Sequence, residues 1–100
     1  MSQSILHTVN QSPFNKNTLK QCLDCYSEGD GILLLEDGVY GALSSQPLAN
    51  HLNAKNCYAI GADIQARGLN EQSLIQYIKT IDFQQFVQLC TQYDLVQSWY

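Results

Sequence analysis

Ile32–Leu33–Leu34–Leu35–Glu36–Asp37–Gly38 is the stretch that decides the fold. Four consecutive branched apolar residues leave no polar face, so the run reads as a strand covered on both sides. Glu36–Asp37–Gly38 then closes it, at the end of the strand where ligands gather in open α/β sheets. A strand buried on both faces needs helices above and below it, and the flanking sequence supplies the matching pattern. Ile5–Leu6–His7–Thr8–Val9 reads as a first strand, followed by turn residues from Asn10 to Pro13. From about Asn15 a helix is expected, with Leu19, Cys22, Leu23 and Tyr26 on one stripe, and Gly29 ends it.

Beyond the central run, Asp37 is expected to cap a helix through Val39, Tyr40, Ala42 and Leu43. Ser44–Asn50 carries little pattern, and a short helix is expected around Leu48–Leu52. Asn56–Ile60 reads as a third strand, and Asp63 as the cap of a short helix, Ile64–Arg67, that Gly68 terminates. Leu74–Ile81 reads as a fourth strand centred on Tyr77, Ile78 and Ile81. Asp82 with Gln85 forms a capping box before a helix that places Phe83, Phe86, Val87 and Cys90 on one face. Val96–Tyr100 fits a last strand. Strand and helix alternate throughout, which predicts an α/β fold: a single small Rossmann-like domain over residues 1–100, with a mostly parallel five-stranded sheet and helices on both faces.

Composition narrows the function. The chain has 100 residues, 45% apolar, but only 14% charged against a usual share of about 25%. Sparse charge on a small domain leaves two readings level: part of the surface is covered by a partner, or the surface is made of the plentiful Gln, Asn, Ser and Thr. The net charge of −4, with five Lys and Arg, argues against capture of nucleic acid and against a basic membrane-binding patch. No apolar run approaches the roughly 20 residues of a membrane span, and no secretion signal is visible, so the expected location is the cytoplasm. No Gly-x-Gly-x-x-Gly or P-loop motif follows any strand.

Four cysteines, Cys22, Cys25, Cys57 and Cys90, read as free thiols. One Cys-x-x-Cys pair, with no second pair and no His cluster, does not make a zinc site. The pair lies mid-helix, away from the positive helix end that would activate a thiol. From spacing alone all four read as structural. Glu36–Asp37 could do acid–base work, but helix cap and strand-edge charge is the simpler reading. His7, inside the first strand, is read as a packed, hydrogen-bonded histidine rather than a proton shuttle.

Five short motifs in register carry a resemblance. His7–Thr8–Val9–Asn10–Gln11–Ser12–Pro13–Phe14 resembles the "LHT…SP[FW]" opening of the TusB/DsrH family. Leu34–Leu35–Glu36–Asp37–Gly38–Val39–Tyr40 resembles its "LL[IL][EQ]DGV" segment, and Asp63–Ile64–Gln65–Ala66–Arg67–Gly68–Leu69 its "D[LIV]xARGL". Ile81–Asp82–Phe83–Gln84–Gln85–Phe86–Val87 is similar to "[IV]DYxxFV", and Val96–Gln97–Ser98–Trp99 to the family's ending.

The resemblance implies a DsrE/F/H-like fold and a subunit of a sulfur-relay complex. It also implies TusC-like and TusD-like partners in a heterohexamer, a dimer of heterotrimers. A TusA-like donor and a TusE-like acceptor would work through that complex, toward 2-thiouridine at the tRNA wobble position. In such complexes the main persulfide cysteine belongs to the TusD/DsrE-like partner. No cofactor or metal is expected, and the acidic charge fits a subunit with no direct nucleic-acid or membrane contact. Some DsrH-like members carry a cysteine in the first helix, and Cys22 matches that position. Cys22 is thus the candidate persulfide cysteine if the chain is instead a DsrH-like subunit of a sulfur-oxidation complex. A stand-alone small-molecule-binding α/β domain is the alternative from a different class.

Overall fold

The computed structural model describes residues 3–53 and 55–100. Five strands, β1 (Ile5–Val9), β2 (Gly31–Leu34), β3 (Asn56–Ile60), β4 (Lys79–Ile81) and β5 (Leu95–Trp99), form one sheet in the order β4-β3-β2-β1-β5. Every pairing is parallel. Three α-helices, α1 (Thr18–Cys25), α2 (Gly61–Ala66) and α3 (Phe83–Cys90), and 3₁₀ segments at Glu36–Ala42, Ala49–Leu52 and Glu71–Ser73 complete the chain. No helix among the described residues is long and apolar enough to cross a membrane.

The chain steps outward from β1 to β4, then returns past its starting point to place β5 on the far side of β1. A single crossover hand requires the outward and returning connections to lie on opposite faces, and the packing follows. On the first face, Val9, Ile32, Leu34, Cys57 and Ala59 of the sheet pack with Leu19 and Cys22 of α1, Val39 and Ala42, Leu52, and Ile64 of α2. On the second, Leu6, Leu33 and Ile60 pack against Leu89 of α3, with Phe86 and Cys90 beside it. The alternation of Ile32 and Leu34 against Leu33 explains why β2 must be apolar throughout: it meets helices on both sides.

Several local expectations are revised. The segment after β2 is a 3₁₀ helix with Leu35 at its N-cap position and no side-chain cap, so Asp37 does not cap it. Helix α2 begins at Gly61, which places Asp63 in its first turn rather than at the cap. The fourth strand covers only Lys79–Ile81. Leu74 and Ile75 instead tie a loop to the first face, through an antiparallel bridge from Leu43 to Leu74 and the Ile75 amide bonded to the Ala42 carbonyl at 2.7 Å. Tyr77 is exposed.

The capping box of α3 is present, with Asp82 accepting from the Gln85 amide and Gln85 accepting from the Asp82 amide. Its apolar face is turned from the expected one. Phe86 and Leu89 meet the sheet, while Phe83 and Val87 are 56% and 65% exposed.

Two glycines have a specific steric role. A β-carbon on Gly38 would collide with the backbone carbonyl of Val9, so the turn after β2 can pass over the end of β1 only there. Gly68 holds φ +64° at the end of α2, where its amide and that of Leu69 bond back to Gln65 and Ile64.

Candidate functional site

Two polar clusters emerge where the motifs meet. The first lies at the carboxyl ends of β2 and β3. Glu36 adopts φ 51°, an uncommon conformation for a residue with a side chain, and its amide donates to Asp63 Oδ2 at 2.7 Å. Arg67 Nε donates to Asp37 Oδ1 at 2.8 Å, and Arg67 Nη1 to the Asp63 carbonyl at 3.3 Å. The acidic pair and the Asp–Arg helix therefore clasp each other. Asp63 holds the left-handed turn and Arg67 draws Asp37 across, so both aspartates are committed to structure. The expected role of Asp37 as a helix cap is not met: it is the ion-pair partner of Arg67 instead.

The second cluster is interior. His7 and Asp30 are each 1% exposed. His7 Nε2 lies 2.8 Å from Asp30 Oδ2, and Trp99 Nε1 donates to His7 Nδ1 at 3.0 Å. Indole nitrogen can only donate, so Nδ1 must accept and the imidazole proton sits on Nε2, where it donates to Asp30. Asp30 also accepts from the amides of Ile5 at 2.9 Å and Ser27 at 3.0 Å. Burial alone would push the Asp30 carboxyl up. The hydrogen bonds from His7, Ser27 and Ile5 overcome that and hold it below the ordinary carboxylate range. Tyr26 Oη donates to the Asp30 carbonyl at 2.7 Å.

This relay joins β1, the entry to β2 and β5. His7 is the packed, hydrogen-bonded histidine expected of it. Asp30 and the role of Trp99 were not anticipated. The available signal was an aspartate directly at the entry to a doubly covered apolar strand, where an unpaired charge would be costly.

The cysteines occupy different environments. Cys22 is fully buried in the first-face core, and Cys57 of β3 is 3% exposed in the same core. Burial, reinforced by the neighbouring Cys25, Cys57 and Asp30, pushes the Cys22 thiol up to about 12. Burial pushes Cys57 equally high, against a small opposing effect of Lys55. Such a group stays protonated at neutral pH, and the thiolate is the nucleophile. Cys25, at the end of α1, is exposed, and Cys90 is half-buried under α3. The Cys-x-x-Cys pair is thus split between core and surface. An open cleft of about 650 Å³ lies at the amino end of the sheet, lined by Tyr26, Lys55 and Asn56 among others.

A small α/β domain with an all-parallel five-stranded sheet, packed more heavily on one face than on the other, is the class that these features define. The same architecture occurs in the crystal structure of the ychN protein from Escherichia coli, at TM-score 0.81 and 18% identity over 97% of this chain and 99% of that one. It occurs also in a protein of unknown function from Methanobacterium thermoautotrophicum, at TM-score 0.72 and 9% identity over 96% and 99%. The model of the DsrH-like proteins matches residues 11–96. Proteins named TusB are 34% identical in Pectobacterium parmentieri and 37% identical in Shigella flexneri, each over 95% of this chain and 100% of the relative. The chain belongs to the TusB/DsrH family.

Proposed function

We propose that the chain is a cytoplasmic assembly subunit of a TusBCD-like sulfur-relay complex supporting 2-thiouridine formation at the tRNA wobble position. In this reading it is not itself the sulfur carrier. The likeness to TusB proteins over 95% of the chain supports the complex. The observation that carries the non-carrier role is the sealed Cys22 thiol. A persulfide relay requires a thiolate to attack the outer sulfur of a donor persulfide, breaking its S–S bond and releasing the donor thiolate. Cys22 has neither access nor thiolate character. TusC-like and TusD-like subunits would then supply the reactive cysteine and the remaining surface, between a TusA-like donor and a TusE-like acceptor.

The test is a pull-down of this chain from its native cytoplasm, coupled to measurement of 2-thiouridine in tRNA after its loss. Recovery with TusC-like, TusD-like and TusE-like proteins, and a fall in 2-thiouridine that Cys22→Ala restores as well as wild type, is the expected result. Recovery with sulfite-reductase components, and a mass gain of one sulfur that Cys22→Ala abolishes, would instead establish the DsrH-like carrier in sulfur oxidation. Recovery of the chain alone would leave the stand-alone binding domain as the better account.

A further inference from the structure

Both ring nitrogens of the buried His7 are bonded, and in opposite senses. Nε2 donates to Asp30 Oδ2 at 2.8 Å, and Nδ1 accepts from the Trp99 indole at 3.0 Å. Only the neutral ring can do both, because an imidazolium carries N–H on each nitrogen. A second proton leaves the Asp30 bond in place and strengthens it, since both partners then carry charge. On the other side it sets N–H against N–H, and an indole nitrogen has no acceptor to offer in return.

The surroundings decide which partner yields. Asp30 is fixed by the amides of Ile5 and Ser27, and His7 lies in β1, between β2 and β5. Trp99 is the last residue of β5, an edge strand paired on one side only, and it is half-buried. Of the three, it alone can turn toward solvent without opening the core. The other titratable groups around the ring do not change charge near neutral pH. Asp30 is held below the ordinary carboxylate range, and Cys22 of α1 and Cys57 of β3 are pushed up to about 12. Burial also raises the hydroxyl of Tyr26, just past α1, and that of Tyr93, which stands against Gly31. Lys55 stands over the Tyr26 ring at 5.4 Å, and β5 carries no charged side chain. A charge that appears in this cluster between pH 8 and 5 therefore belongs to His7.

We propose that His7 is a proton-operated latch on the end of β5: the neutral ring holds the Trp99 indole against the first face, and the protonated ring releases it while keeping Asp30. Docking and protonation are reciprocal. The indole opposes the second proton by the same factor by which that proton opposes the indole.

The chain has one tryptophan and two histidines, so NMR of the full chain reads each of these groups singly. From pH 8 to 5 the indole N–H resonance is expected to shift with the midpoint of the His7 ring. Over the same range acrylamide quenching of Trp99 fluorescence should rise toward that of an exposed indole. His51, exposed in the second 3₁₀ segment, is the independent reference. His7→Gln should abolish both changes. Trp99→Phe keeps an aromatic ring but removes the indole N–H. It should raise the His7 midpoint by about one pH unit, the worth of one hydrogen bond, and leave His51 where it was. A His7 ring that titrates while the indole stays bonded and shielded would overturn the latch, as would a His7 that takes no proton in this range. An unchanged His7 midpoint in Trp99→Phe would overturn it equally, even if His7→Gln does not fold. Loss of backbone resonance dispersion together with the indole shift would mean unfolding of the chain, not release of one side chain, and would also overturn it.

Discussion

The two faces of the sheet solve the same problem with unequal means. The first face is packed by two α-helices and two 3₁₀ segments, and it encloses Cys22, Cys57, His7 and Asp30, with Trp99 half-buried at its margin. The second is covered by one eight-residue helix that leaves Phe83, Val87 and Val96 in contact with solvent. The difference follows from topology. Three successive outward crossovers fill one face, and a single returning crossover must serve the other. A fold of this kind has an intrinsically open side, and a subunit can use that side for assembly without sacrificing its own core.

The comparison breaks first at the residues that hold the closed side shut. Gly38→Ala is expected to have the largest effect, about 3 kcal/mol or more, because the new methyl meets a backbone carbonyl that has nowhere to go. Urea unfolding measures it, and a midpoint unchanged from wild type would show that the turn over Val9 can move. His7→Ala is next, at about 3 kcal/mol. It removes a donor from buried Asp30 and the acceptor of the Trp99 indole together.

Acid offers a sharper test of the relay. The Asp30 carboxyl titrates lower in the folded chain than in the unfolded one. Its contribution to stability is therefore complete above the unfolded value of about 3.9 and fades as pH falls through the lower folded value. Melting temperature should drop more steeply below about pH 4 for wild type than for Asp30→Asn. Parallel curves would mean that Asp30 is not the ionised member of the relay.

The alternation of strands and helices along the chain and the two-sided burial of β2 were readable in the sequence, because period and apolar run length depend only on local chemistry. The rotation of α3 was not. Phe83, Phe86, Val87 and Cys90 form a plausible stripe by spacing, and Leu89 lies only about 60° from Phe86 on the other side. Which of the two stripes is buried depends on where the neighbouring strands lie, and that is tertiary information. The same limit applies to Leu74–Ile81. Its apolar pattern, centred on Tyr77, Ile78 and Ile81, reads as a strand, but Ile75 and Ile78 are drawn to the first face by a loop and Tyr77 is exposed. The relay was half legible: His7 was expected to be packed and bonded, but its partners lie 23 and 92 residues away.

The smallest effects compare one substitution on the two faces. Cys57→Ser places a hydroxyl in the closed core. The Leu52 carbonyl, 3.8 Å from Cys57 Sγ, can accept from it only in part, so a loss of about 1–2 kcal/mol is expected. Cys90→Ser places the same hydroxyl at the half-buried margin of α3, where solvent can satisfy it, and the expected loss is about 0.5 kcal/mol. Both are measured as urea midpoints of the isolated chain. Equal losses in the isolated chain would mean that the second face is as dry as the first, and the contrast between the two faces would then be one of side-chain exposure alone, not of packing.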